Sequence, residues 1–139
     1  MIVDTSAIVA IFRREDEFER FALAIELEPE CRISSAVVLE LAIALSNLEV
    51  PILADAIEMF MNRTQIEVLS FTPSQALVAR SAHYRFGKNS GSRAKLNFGD
   101  CITYALAKER GEPLLFKGGD FNHTDVRIDE RSVVTGEKS

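Results

Sequence analysis

The chain has 139 residues, enough for one domain that buries roughly two-thirds of its unfolded surface and too few for two ordinary ones. Hydrophobic residues make up 47% and charged residues 27%, which excludes a disordered or fibrous chain. The net charge of -5 argues by itself against a nucleic-acid binder, but the distribution reverses that inference: Leu69 to Gly99 holds no acid and carries Arg80, Arg85, Lys88, Arg93 and Lys95, a charge of +5 against -10 for the remainder.

In chain order, Met1 to Val3 form a short apolar strand that ends at Asp4, and Thr5 or Ser6 can cap a helix through Phe12. The opening MIVDTSAIVAIF contains Asp4, lacks a basic lead-in and runs into Arg13 and Arg14, so neither a signal peptide nor a membrane span is expected and the protein is expected in the cytoplasm. Asp16 to Leu27 repeats Phe18, Phe21, Ala22 and Ile25 at helical spacing. Arg32 to Ser34 reads as a short strand, after which Ser34 or Ser35 caps a helix from about Ala36 to Leu48. Nine of the ten residues from Ala36 to Leu45 are apolar, which predicts a helix buried on all sides around Glu40.

Pro51 suits the first turn of a further helix to about Asn62, with Leu53, Ala56, Ile57 and Phe60 on one side. Ile66 to Leu69 predicts a strand, Pro73 opens a helix to about Phe86, and Gly87 to Arg93 is a loop rich in glycine and serine. Asn97 precedes a helix from about Gly99 to Lys108 that Gly111 stops. Pro113 to Phe116 reads as a buried strand, and Val126 to Ile128 or Ser132 to Val134 as an edge strand. Cys31 and Cys101 stand far apart in apolar contexts without metal spacing and read as reduced, packed thiols.

Strands alternating with helices predict an α/β layer fold with a mostly parallel sheet, whose ligands gather beyond the carboxyl ends of the strands. Four acids fall at the ends or faces of apolar segments: Asp4 in MIVDTSA, Glu40 in AVVLELAIAL, Asp100 in LNFGDCITYALA and Asp120 in LLFKGGDF. Each has an ordinary alternative: a helix cap for Asp4, a surface position for Glu40, a first-turn acid for Asp100 and a turn residue for Asp120. Carboxylates in a core are costly unless compensated, and a shared divalent cation is the compensation that needs several at once.

Together these segments resemble the PIN-domain nucleases, and more narrowly the VapC-like toxins of bacterial toxin-antitoxin pairs. The resemblance covers nearly the whole chain and rests on MIVDTSA, the Glu40 helix, LNFGDCITYALAK and LLFKGGDFNHTDV. It implies a three-layer α/β/α PIN-like domain over residues 1–135, with a mostly parallel central sheet of four to five strands; the sequence itself reads as a frayed tail at 136–139. It also implies that Asp4, Glu40, Asp100 and Asp120 line one pocket for Mg2+, or Mn2+ as a substitute, with the Ser6 hydroxyl beside the first. VapC-like chains often carry a second acid or amide where this one has Gly119, which leaves Asp120 to complete the set, with Asp125 a distant substitute. On that reading Gly119→Asp tightens Mn2+ binding.

The chemistry expected of such a pocket is hydrolysis of RNA phosphodiester bonds by a metal-activated water. Asp4 and Asp100 are the expected main ligands, Glu40 a ligand or water-orienting base, and Asp120 an outer ligand. Arg93 and Lys95 are the expected phosphate contacts, while His83 and His123 read as ordinary surface or loop residues. The resemblance further implies an endoribonuclease toxin held inactive by a VapB-like antitoxin, and a homodimer. The stripes from Phe18 to Leu27 and Leu53 to Phe60 are expected mainly to pack the core.

Three other classes compete. A haloacid-dehalogenase-type phosphatase needs a second aspartate two positions after the first, where this chain has Ser6. A receiver domain needs an acidic pair near its start, which is missing, and a late lysine, which Lys117 can supply. A non-catalytic PIN-like interaction domain that has lost its metal is hinted at only by Gly119.

Overall fold

The computed structural model describes residues 1–46 and 55–136. Its centre is β1 (Ile2–Val3), flanked by β2 (Arg32–Ser34) on one side and β4 (Leu114–Leu115) on the other, with β3 (Glu67–Leu69) outside β2. All three pairings are parallel, with Ile2 opposite Arg32 and Leu114, and Ile33 opposite Val68. Val3, Ile33 and Leu115 enter one apolar core, whereas Ile2, Leu114 and Phe116 enter another. That alternation gives the sheet two buried faces, which is what a parallel sheet requires and why these strands read as continuous apolar runs.

One face is covered by α1 (Thr5–Phe12), α2 (Phe18–Leu27), α3 (Ser35–Ser46) and α4 (Ala56–Thr64). The other is covered by α5 (Pro73–Phe86) and α6 (Phe98–Arg110), the latter buried continuously from Cys101 to Ala107. A short parallel pair, β5 (Lys117–Gly118) and β6 (Val133–Val134), continues from β4, and Phe121–His123 form a single 3-10 turn. This is the expected three-layer α/β/α arrangement, its central sheet made of four parallel strands. Both cysteines are free and buried, and among the described residues no helix is long and apolar enough to cross a membrane.

Element boundaries differ from expectation by one or two residues, and each difference has a local cause. The first helix is capped by Asp4 and not by Thr5 or Ser6: the Asp4 side chain accepts from Ser6 N, so Thr5 and Ser6 lie within the helix. The end of the Ala36 to Leu48 helix, the start at Pro51 and Leu53 lie outside the described residues, as does most of the 136–139 tail. The prediction that α3 is buried all round is wrong. Val37, Leu41 and Leu45 face the core, but Leu39 is 64% and Ile43 57% exposed. The strand expected at Pro113 to Phe116 is shortened to Leu114–Leu115, because Phe116 N donates to the Ser132 hydroxyl, and β5 begins beyond it. Val126 to Ile128 contributes one bridge, Leu114 to Ile128, and the second candidate becomes β6.

The order β3-β2-β1-β4 reverses direction of succession at β1, so the crevice beyond the carboxyl ends of β1 and β4 is the natural ligand position. Asp4 directly follows β1. Asp120 follows β5, which extends from β4.

Candidate metal centre

Asp4 is only 5% exposed. One of its oxygens, Oδ2, accepts from Ser6 N at 3.1 Å and from Ser6 Oγ at 2.6 Å. The same Ser6 Oγ accepts from Lys117 N at 2.9 Å, tying the first turn of α1 to the start of β5. The Thr103 hydroxyl on α6, 1% exposed, lies near enough to favour the Asp4 carboxylate electrostatically but makes no hydrogen bond of full geometry. Burial outweighs these contacts and raises the Asp4 pKa.

Glu40 projects from α3 towards α1 and α6. Its Oε1 accepts from Thr5 Oγ1 at 2.7 Å, and its other oxygen lies against Gly99, where a Cβ would come within 1.6 Å of it. The glycine is therefore required for close approach. Burial raises the Glu40 pKa, and the charge of Asp4 adds to that.

Asp100 is the third residue of α6 and half of a capping box: its N–H donates to Asn97 Oδ1 at 2.9 Å, and its Oδ2 accepts from Asn97 N at 3.0 Å. A first-turn acid has a structural role here as well as a chemical one. Its carboxyl is nevertheless pushed up to about 7, first by burial and then by Asp4, Asp120 and Glu40. Asp120, at the start of the 3-10 turn, is raised by burial and by Asp4, and is opposed by the positive fields of Lys88, His123 and Lys95.

The structure thus brings all four predicted acids and Ser6 into one neighbourhood, and Asp100 feels the other three. Among the described residues no three acidic, imidazole or thiol groups already converge to ligand distance, and none of the four acids is in a salt bridge. The result is a cluster of carboxylates whose mutual repulsion and desolvation are offset by nearby positive charge only at Asp120, and there only in part. All of its donors are oxygen, which fits a hard divalent cation such as Mg2+ or Mn2+.

Two expectations fail here. Asp125 cannot stand in as a ligand, because it accepts from Tyr104 Oη at 2.5 Å and pairs with Arg85 at 3.3 Å and Lys108 at 3.4 Å. Gly119 is not a vacant ligand position either: a Cβ there would meet the Thr135 carbonyl oxygen at 2.5 Å.

His123, expected to be an ordinary loop residue, faces Asp120 electrostatically. Lys95 does the same, in keeping with its expected place beside the site, and so does Lys88, a member of the basic run to which the sequence assigns no role. Arg93 is exposed. Thr5, Gly99, Asn97 and Thr103 were also missed as supporting residues. The signals available were Thr5 beside Asp4 and Thr103 three residues after Asp100, on the same side of one helix. Lys117, the lysine a receiver would need, is turned away to Glu15 at 2.9 Å and Glu17 at 2.8 Å.

The chain is similar to known proteins over most of its length. A family model described as PIN domain matches residues 1–127. Ribonuclease VapC28 of Mycobacterium tuberculosis is 46% identical over 127 residues, which are 91% of this chain and 96% of that protein. Ribonuclease VapC42 of the same organism is 41% identical over 91% of this chain and 97% of its own length. Among solved structures, M. tuberculosis VapC20, titled a Sarcin-Ricin loop cleaving toxin, superposes with a TM-score of 0.71 at 21% identity, covering 91% of this chain and 98% of that one. A toxin-antitoxin complex from Klebsiella pneumoniae gives a TM-score of 0.67 at 15% identity, covering 92% and 95%.

Proposed function

Because the chain belongs to the PIN-domain family and its close relatives are VapC ribonucleases, we propose that it is a metal-dependent endoribonuclease that acts as the toxin of a toxin-antitoxin pair. One observation carries the reading. Asp100 lies within the fields of acids from three other segments, Asp4, Asp120 and Glu40, and its carboxyl is pushed up to about 7 by burial first and by them.

Asp4, Asp100, Glu40 and Asp120 would hold the cation, Mg2+ or Mn2+. When bound, it supplies charge neutralisation on the phosphate oxygens and a water acidic enough to ionise near neutral pH. The protein's part is positioning. Ser6 fixes Asp4 by two hydrogen bonds to one oxygen, leaving the other for binding. Thr5 fixes Glu40, and the Asn97 capping box fixes Asp100 at the mouth of α6. Glu40, with its raised pKa and an oxygen at the Gly99 surface, is suited to orient a water or take its proton. Lys88 and Lys95 on the Asp120 side, with Arg93 on the same loop, offer positive charge to the substrate backbone and place RNA without reading its sequence.

The partners follow from the same reading. Leu39 and Ile43 on α3 and Met59 on α4 are exposed apolar residues suited to a VapB-like antitoxin or a second copy of the chain. The expected site of action is the cytoplasm, where such RNA resides. The phosphatase and receiver readings lose their support at Ser6, which is bound to Asp4, and at Lys117, which is paired to Glu15 and Glu17.

Induced expression in a bacterial host tests the toxin reading. The native chain is expected to arrest growth with fragmented RNA, and Asp4→Asn to do neither. Equal growth and intact RNA in both, with soluble protein present, would falsify it.

A further inference from the structure

The α5 helix, the loop from Gly87 to Asn97 and the first turn of α6 enclose a groove of about 560 Å3. Its apolar lining includes Phe71 and the buried Leu96, and its polar lining includes Arg80, His83 and Lys88. No acid lines it. Phe98 stands at its mouth and is 85% exposed, the most exposed large hydrophobic residue among those described. It is two residues before Asp100, so the two side chains leave the first turn of α6 in different directions, the groove on the face of Phe98, Cys101 and Ile102 and the acids on the other, with one helical turn shared between them.

An exposed aromatic ring in a helix gains nothing from burial, and an apolar groove rimmed by three cationic or protonatable side chains suits neither bare phosphate nor a neutral hydrocarbon. A nucleotide satisfies both features: its base offers a flat apolar face to Phe98 and the groove floor, and its phosphates meet Arg80, His83 and Lys88. The volume lies within the usual range for a pocket that takes one small ligand unit. Bases inside a duplex are stacked and cannot enter, so the nucleotide must be splayed out from a single strand.

We propose that the groove between α5 and α6 is a nucleobase subsite, in which Phe98 stacks on an unpaired base of the RNA strand that crosses the first turn of α6 to the acids. The inference rests on the ribonuclease reading and adds to it a preference for unpaired RNA and a residue that provides it. Every lining residue except Cys101 and Ile102 comes from the acid-free segment between Leu69 and Gly99, which gives that segment a purpose beyond general attraction.

The test measures binding in the Asp4→Asn background, without added divalent metal, so that cleavage plays no part. A labelled single-stranded oligoribonucleotide and a ribose-phosphate chain of the same length lacking bases are titrated by fluorescence anisotropy. Adding Phe98→Ala is expected to weaken the oligoribonucleotide by about 5- to 100-fold, the range of a missing base stack, and to leave the abasic chain unchanged. Phe98→Trp should restore the affinity. Equal weakening on both probes, or none on either, overturns the subsite. So does unchanged RNA affinity with weakened self-association in sedimentation, which would make Phe98 a contact between copies. Metal-dependent cleavage by the native chain, measured separately, shows whether the ribonuclease reading stands when the subsite does not.

Discussion

The Glu40 carboxylate lies so close to Gly99 that a methyl group there would come within 1.6 Å of Glu40 Oε2. Helix α6 therefore accepts the side chain of α3 only because it carries no Cβ at that point. Gly99→Ala adds helix propensity worth about 0.5–1 kcal/mol, so the fold should survive, while the mobile end of Glu40 must move aside. The expected result is a melting temperature near native with RNA cleavage reduced about 100-fold, the scale of a small misplacement at a reacting centre. Full activity in a stable Gly99→Ala protein would show that Glu40 has no positional role.

Gly119 leads to the opposite expectation from the one its sequence context suggests. With the Thr135 carbonyl oxygen 2.5 Å from where a Cβ would sit, Gly119→Asp has to shift the backbone hydrogen bond from Thr135 N to Gly118 O. Thermal stability should fall, and Mn2+ affinity measured by calorimetry should not rise. Tighter Mn2+ binding at unchanged stability would restore the view that a carboxylate is missing at this position.

The pH dependence follows from Asp100. Its folded pKa is about 7 and its reference value 3.8, so the folded state holds the proton more tightly. The stability it contributes is complete below about pH 4 and disappears as pH rises to about 7. Asp4, Glu40 and Asp120 are shifted in the same direction. Metal-free protein should accordingly melt at lower temperature at pH 7 than at pH 5, and Asp100→Asn should flatten part of that slope. Mg2+ should raise the melting temperature more at pH 7 than at pH 5, because the ion binds the ionised acids. An unchanged slope in Asp100→Asn would mean that its carboxyl is already ionised well below 7.

Lys88 and Lys95 both act on Asp120. Replacing both with alanine should weaken RNA binding at low salt irrespective of sequence. It should also make the log-log salt dependence shallower, by roughly 0.7 for every phosphate of a single strand that these lysines neutralise. Binding titrations at several salt concentrations measure this. A native slope in the double variant would assign the two lysines to solvent.

Much of the fold was legible because periodicity and capping are local. Pro73 to Phe86 is helical over the predicted span, and Arg32 to Ser34 is a strand even though only Ile33 is a strong strand former. The four acids were legible for a different reason, as polar residues in apolar runs. What could not be read depends on contacts between elements distant in sequence. The exposure of Leu39 and Ile43 is decided by which face of α3 the described elements cover, and the commitment of Asp125 by Tyr104, Arg85 and Lys108 arriving from two helices. Ser6 shows both sides: its place beside Asp4 was visible, but its bond to Lys117 N depends on β5 lying across from α1.

The central claim is that the four acids form one metal-dependent site for RNA cleavage, and purified protein freed of any antitoxin tests it. Single-stranded RNA is incubated with native chain and with Asp4→Asn, each with Mg2+ and with excess EDTA, and fragments are followed over time. The account predicts cleavage only by the native chain with Mg2+, and none by Asp4→Asn under either condition. Cleavage that survives EDTA, or that proceeds equally in Asp4→Asn, would contradict it.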